Sequence, residues 1–222
     1  MARLTPDPSF YASPSDAVAA PGETHAYVVT LNTGTNGDSA PDALTVIDLE
    51  DGSSTYGTVV GRLDMPNVGD ELHHFGWNAC SSALCPWAAH PHIERRFLLV
   101  PGLRSSRIHV IDVKDDPHAP KLTKVIEAEE IAGKTGYSRP HTIHCGPDGI
   151  YVSALGNPEG DGPGGIFLLD QRTSRSRAPG SRTAGRRSWP MTSGGTSTRA
   201  RSSLPSGARR TWSRAASSLS CC

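Results

Sequence analysis

A short unit recurs along the chain: an apolar run that ends in aspartate, then a turn, then another apolar run. Its three copies end at Asp48, Asp112 and Asp170, which gives spacings of 64 and 58 residues. Spacings of this length fit a large repeat of about four strands with insertions, as in the blades of a β-propeller. An ordinary β-sandwich is the alternative, because aspartate is common at the turns that end strands.

Short apolar segments separated by turn residues make up most of the first 170 residues. Their β-branched or alternating character predicts strands, so the expected fold class is all-β. Residues 127–134 predict at most one or two helical turns, and residues 1–24, rich in Pro, Ser, Ala and Asp, predict an irregular lead-in. The predicted strands are residues 25–31, 43–49, 56–63, 96–101, 106–113, 122–126, 149–155 and 164–169.

The net charge of zero is a cancellation between two unlike segments. All 22 acidic residues lie at or before Asp170 with 11 of the 22 basic residues, whereas residues 171–222 hold the other 11, all of them arginine. Residues 1–170 are therefore acidic overall, which argues against nucleic acid or an anionic membrane surface as a partner. No apolar run resembles a signal peptide or a membrane span, and five cysteines are too sparse for a disulfide framework. The expected location is therefore the reducing cytoplasm.

The composition changes abruptly after Asp170. Residues 171–222 contain no Asp, Glu, Lys, His, Val, Ile, Phe, Tyr or Asn, and Ser and Arg supply 24 of the 52 residues. Such a segment buries too little apolar surface to offset its chain entropy, so we expect a disordered tail that adds no strand to the edge at 164–170. A basic, serine-rich regulatory tail is the alternative.

Two clusters of residues could bind a transition metal, because imidazole and thiol groups are its usual ligands. The first is the run from Asp70 to Ser82, which contains His73, His74 and Cys80. Adjacent histidines face opposite sides of a strand, so both could act as ligands only from a loop or bulge; a turn with one structural histidine is the alternative. The second is His141-Thr142-Ile143-His144-Cys145, where a ligand pair again requires irregular backbone, which Pro140 favours. Cys80 and Cys85 could form a redox pair or supply a nucleophile, or be buried and unreactive.

Several longer strings resemble successive blocks of the selenium-binding protein family, in the order in which that family has them. They are DELHHFGWNACSS, VPGLRSSRIHVIDV, DPHAPKLTKVIE, HTIHC and LGNPEGDGPGGIFLLD, and the resemblance covers about residues 5–173. It implies a seven-bladed β-propeller about twice this length, of which residues 25–173 would form the first two to three blades. Members of the family characterised as enzymes are methanethiol oxidases, which convert methanethiol, O2 and water to formaldehyde, hydrogen sulfide and hydrogen peroxide.

The resemblance also implies roles for individual residues. His73 and His74 match the family's His-His pair, and His141 and His144 match its His-x-x-His, which makes these four the candidate copper ligands. Cys80 matches the family's WN-x-CSS cysteine and is the candidate catalytic thiol for substrate or selenium chemistry. Animal members carry a selenium-linked cysteine in the segment that matches Tyr56-Gly57-Thr58, and this chain has none there. A role in binding or trafficking selenium or sulfur compounds without catalysis is the alternative to an oxidase.

The tail resembles the same family when its codons are shifted by one base. Residues 189–196 then allow LAYDFWWH and residues 205–213 allow SEWGTPNMV, both similar to sequence that the family places after this blade. We therefore expect residues 174–222 to be an out-of-frame reading of the gene. On this interpretation the chain is an inactive truncation of a methanethiol oxidase-like protein.

Overall fold

The computed structural model describes residues 6–34, 39–81, 90–146, 148–172 and 174–177, all of which belong to one compact unit. These residues form three antiparallel sheets. Sheet 1 has the order β1 (His25–Thr30), β2 (Ala43–Asp48), β3 (Val59–Asp64). Sheet 2 has the order β4 (Gly76–Trp77), β5 (Phe97–Pro101), β6 (Ile108–Asp112), β7 (Lys121–Ile126). Sheet 3 has the order β8 (Ser138–Gly146), β9 (Gly149–Gly156), β10 (Gly165–Leu169), β11 (Ser176–Arg177).

The recurring aspartate makes the same turn in each sheet. One carboxylate oxygen of Asp48, of Asp112 and of Asp170 accepts a hydrogen bond from the backbone N–H two residues further on, at 2.9–3.0 Å. This local bond stabilises the reversal of the chain after a strand. In sheet 1 this aspartate, Asp48, ends β2, which is the second strand of the sheet along the chain. In sheets 2 and 3 the aspartates lie at the end of the third strand, Asp112 in β6 and Asp170 directly after β10. Among the described residues, sheet 1 therefore has three strands and sheets 2 and 3 have four.

Two hydrophobic clusters pack the sheets against one another. Along β5 successive side chains enter the two clusters in turn, so this strand is buried on both faces. The first fills the space between sheets 1 and 2 with Leu44, Met65, Leu72, Leu98, Val100, Ile111 and Val113. The second lies between sheets 2 and 3 and contains Leu99, Ile108, Val110, Ile126, Ile131, Ile143, Ile150, Val152, Ala154, Phe167 and Leu169.

Two short helices accompany the sheets. The first, α1 (Pro14–Ala19), begins at Ser13, whose side chain accepts a hydrogen bond from the backbone N–H of Asp16. The second, α2 (Ala128–Thr135), ends at Gly136 in the left-handed conformation and buries Ile131 in the core. The short helix expected near residues 127–134 is thus present, whereas α1 lies in a segment that we expected to be irregular. No helix in the described ranges is long and apolar enough to cross a membrane.

The expected all-β fold class is confirmed, because strands dominate the described residues and the helices are few and short. Over the described residues the three sheets do not close on themselves, so the seven-bladed propeller stays a prediction. One expectation about the tail is wrong: Ser176 and Arg177 form β11, which pairs with Leu168 and Leu169 of β10. The disorder predicted for the rest of the tail, residues 178–222, lies outside the described residues.

Candidate metal centre

His73 and His74 lie in irregular backbone just before β4. The segment leaves sheet geometry at Glu71, whose φ of 55° is unusual for a residue with a side chain. The backbone N–H of His73 donates to the carbonyl oxygen of Pro101 at 2.9 Å, and His74 forms an isolated parallel bridge with Thr142 of β8. Adjacent histidines can turn to the same side only where a strand is interrupted in this way, as the sequence predicted.

His141 is presented by a β-bulge in β8. Pro140 pairs with Ala154 and Thr142 pairs with Ser153, so the register shifts across His141 and leaves it without a partner on β9. A bulge redirects the side chain of its extra residue, which is why bulges are common beside functional sites. The irregular backbone that Pro140 led us to expect is therefore present.

The structure brings His73, His74 and His141 together. One ring nitrogen from each lies within 4.8 Å of those of the other two. The His141 ring centroid is 4.6 Å from that of His73 and 5.0 Å from that of His74, while His73 and His74 are 6.0 Å apart. Three imidazoles at this separation, two from before sheet 2 and one from sheet 3, match the donor set of a copper or zinc site.

Two neighbouring side chains orient these imidazoles. The Oε1 atom of Glu71 lies 3.4 Å from Nε2 of His73, and the same carboxylate pairs with Arg104 at 2.8 Å. The Nδ1 atom of His141 lies 2.8 Å from the hydroxyl oxygen of Thr142, which leaves Nε2 of His141 available as a ligand. Partners of this kind fix the ring orientation of metal-binding histidines.

The electrostatics of the cluster favour neutral imidazole at His141. Partial burial lowers the pKa of His141, and the nearby His73 and His74 lower it further. Burial alone would raise the pKa of Glu71, but hydrogen bonding to His73 and the charge of Arg104 outweigh it, so that pKa falls below its usual value. Neutral imidazoles beside a carboxylate anion are the states in which these groups bind a metal cation.

The two other predicted site residues are not part of the three-histidine cluster. His144 lies on the same strand as His141, but its Nδ1 atom is 2.7 Å from the carbonyl oxygen of Cys145. Cys80 follows β4, is 8% exposed, and has its sulfur beside that of Cys145. Their roles as a copper ligand and a catalytic thiol stay predictions.

Three residues near the site were not among the predicted functional residues. Thr142 and Cys145 lie in the same five-residue string as His141, so their residue types and positions could have identified them as neighbours of the site. Glu71 lies in the same run as His73, but its contact with His73 depends on the positive φ at Glu71, which the sequence does not reveal.

Comparison with known proteins gives consistent matches. The family model described as 56kDa selenium binding protein (SBP56) matches residues 4–186. Selenium-binding protein 2 of Arabidopsis thaliana is 49% identical over 160 residues, which is 72% of this chain and 32% of the relative. Methanethiol oxidase of Bos taurus is 46% identical over 166 residues, 73% of this chain and 34% of the relative. The X-ray structure of a hypothetical selenium-binding protein from Sulfolobus tokodaii has a TM-score of 0.71 and 57% identity, covering 78% of this chain and 37% of that one. The chain thus spans about a third of the length of the curated relatives it matches.

Proposed function

Because the chain belongs to the selenium-binding protein family, we propose that it forms part of a copper-dependent methanethiol oxidase. The supporting observation is the cluster of His73, His74 and His141, which suits copper and lies between two sheets. The proposed reaction consumes methanethiol, O2 and water and yields formaldehyde, hydrogen sulfide and hydrogen peroxide. Relatives at 43–46% identity carry the name methanethiol oxidase, which supports a small thiol as the substrate.

The proposed role of each residue follows from the atoms that it offers to a metal ion. Bound copper would supply the one-electron chemistry with O2 that ordinary side chains lack. His73, His74 and His141 would hold the ion through neutral imidazole nitrogens, with His144 as a further ligand in the complete protein. Glu71 and Thr142 would keep His73 and His141 in their orientations. Cys80 is the proposed thiol for sulfur or selenium chemistry.

We further propose that the three sheets are blades of a seven-bladed propeller located in the cytoplasm. Their order and the repeated aspartate turn support this interpretation. A propeller closes by packing its last blade on its first, so a partial set of blades leaves an exposed edge and an uncovered face. The 222-residue chain is therefore expected to be poorly soluble and inactive alone.

Selenium or sulfur binding without catalysis is the second candidate. It is favoured by the Arabidopsis relatives, which are 45–49% identical and are named selenium-binding proteins. Such a protein would bind the thiol without releasing sulfide or peroxide.

An assay of the full-length protein, read in the restored frame, separates the two functions. Methanethiol is supplied in air, and sulfide and hydrogen peroxide are measured together. Release of both in equal amounts supports the oxidase, whereas tight methanethiol binding with neither product supports the binding role. The 222-residue chain is assayed in parallel, and turnover close to that of the full-length protein would contradict its proposed inactivity.

A further inference from the structure

Cys80 and Cys145 form a close pair of thiols that the proposed metal centre does not use. Their sulfur atoms are 2.8 Å apart, although 65 residues separate them in the chain. Both are buried, with 8% of Cys80 and 3% of Cys145 exposed, and both are in the reduced form. The pair joins the segment after β4 of sheet 2 to the end of β8 of sheet 3.

We propose that Cys80 and Cys145 are a redox-active dithiol that closes to a disulfide. A disulfide bond is about 2.04 Å long, so the sulfur atoms need to approach by less than about 1 Å. The backbone on both sides is already held in place, because Asn78 accepts hydrogen bonds from the N–H groups of Arg96 and Phe97, and Gly146 accepts one from Gln171. Bond formation therefore requires a short approach of two sulfur atoms whose backbone neighbours are already fixed.

The oxidation balances with hydrogen peroxide as the oxidant. The thiolate of one cysteine attacks peroxide, the O–O bond breaks, and a sulfenic acid and hydroxide form. The second thiol then displaces the sulfenic hydroxyl, which forms the S–S bond and releases water. Two thiols lose two electrons in total, and peroxide is reduced to two molecules of water. Cys80 is the more exposed of the pair, so we assign it the attack on peroxide.

The positions of Cys80 and Cys145 determine which segments a disulfide between them would hold together. The segment carrying His74 runs parallel to β8, and the backbone N–H of Ile143 donates to the carbonyl oxygen of His74 at 3.0 Å. The histidines lie at one end of this parallel contact, and Cys80 and Cys145 lie at the other. A disulfide would therefore fasten together the two segments that present His73, His74 and His141. The inference does not depend on the proposed oxidase reaction, because any source of peroxide suffices.

Peptide mapping of the full-length protein, read in the restored frame, tests the proposal. Cells expressing it are treated with hydrogen peroxide or with a dithiol reductant, quenched in acid and alkylated with N-ethylmaleimide under denaturing conditions. Trypsin places Cys80 and Cys85 together in peptide 63–95 and Cys145 in peptide 135–172. The variant Cys85→Ser leaves Cys80 as the single cysteine of its peptide and serves as the matched control for Cys80→Ser.

The expected result is a linked pair of peptides 63–95 and 135–172 in the wild-type chain and in Cys85→Ser after peroxide treatment. The link should disappear on reduction and be absent from Cys80→Ser and Cys145→Ser. Full alkylation of Cys80 and Cys145 after peroxide treatment of Cys85→Ser would overturn the proposal. So would linkage of Cys145 to any other cysteine as readily as to Cys80.

Discussion

The backbone N–H of Ile143 donates a hydrogen bond of 3.0 Å to the carbonyl oxygen of His74. This bond joins sheet 3 to the segment that precedes sheet 2, and beside it the ring of His141 reaches those of His73 and His74. Glycine at position 76 permits the approach, because a Cβ there would lie 2.9 Å from the carbonyl carbon of Ile143. The geometry of the three-histidine cluster therefore depends on how closely two sheets pack.

Gly76→Ala should destabilise the protein by about 1–3 kcal/mol, since the added methyl group forces β4 away from β8. Gly22→Ala is the matched control, because a Cβ at Gly22 meets no atom within 4 Å. Urea denaturation of both variants measures the free energy of unfolding. Equal stability of the two variants would show that the close contact at Gly76 is not a packing constraint.

Alanine at His73, His74 or His141 should lower the copper content of the full-length protein, because a lost ligand in a three-histidine site is not replaced. The resemblance implies the same for His144, although the structure leaves it outside the cluster. Copper is measured by elemental analysis of purified variants. His118→Ala is the control, since that ring packs against His25 instead, with the centroids 5.8 Å apart. Unchanged copper in all four variants would rule the site out.

The aspartate turn of sheet 1 should contribute stability that depends on pH. Hydrogen bonds from Ser53, then Thr55, then the backbone of Glu50 lower the pKa of Asp48 to about 2 from its usual 3.8. A lowered folded-state pKa stabilises the fold above the unfolded-state pKa, and this contribution is lost as pH falls toward 2.

The wild-type protein should therefore exceed Asp48→Asn in stability at pH 5, and the difference should shrink between pH 4 and pH 2. Urea denaturation across this range measures it, with Asp51→Asn as the control at an exposed position of the same turn. A difference between wild type and Asp48→Asn that stays constant from pH 5 to pH 2 would contradict the assignment.

Resequencing the gene around codon 173 should show one missing base. Its restoration should open a frame that reads through LAYDFWWH and SEWGTPNMV, because both strings are compatible with the codons of the present tail. The restored frame would replace solvated arginines and serines with aromatic residues that a core can bury. A stop codon soon after the repaired position would refute the frameshift.

Much of the sheet structure could be predicted from local pattern. The β-branched run at 43–49 became β2 (Ala43–Asp48), and the run at 106–113 became β6 (Ile108–Asp112). Strand β8 was not among the predicted strands, because Pro140 and its polar neighbours interrupt the alternation of apolar residues. Its long pairing with β9 supplies the stability that its own sequence does not indicate.

The candidate metal centre could be predicted only in part. Residue types and the resemblance pointed to His73, His74 and His141, yet nothing local shows that positions so far apart in sequence meet. Their meeting depends on sheet-to-sheet packing through Gly76 and on the bulge at His141, both of which are tertiary features. The same packing brings Cys145 to Cys80, a pairing that the spacing of the cysteines does not suggest.

The side of β1 that no described strand occupies bears on the kinetics of folding. Because Asp48 ends the second strand, whereas Asp112 and Asp170 come at the end of the third, no strand in the described part of the chain is the counterpart of β4 and β8 on the open side of β1. A strand that completed sheet 1 there from a distant segment of the polypeptide would pair with β1 only after a long loop had closed. Contacts between segments distant in sequence form slowly, because the closure of a long loop costs entropy before any bond is gained. The hairpins of the three sheets would then form early, and the pairing along β1 would set the overall folding rate.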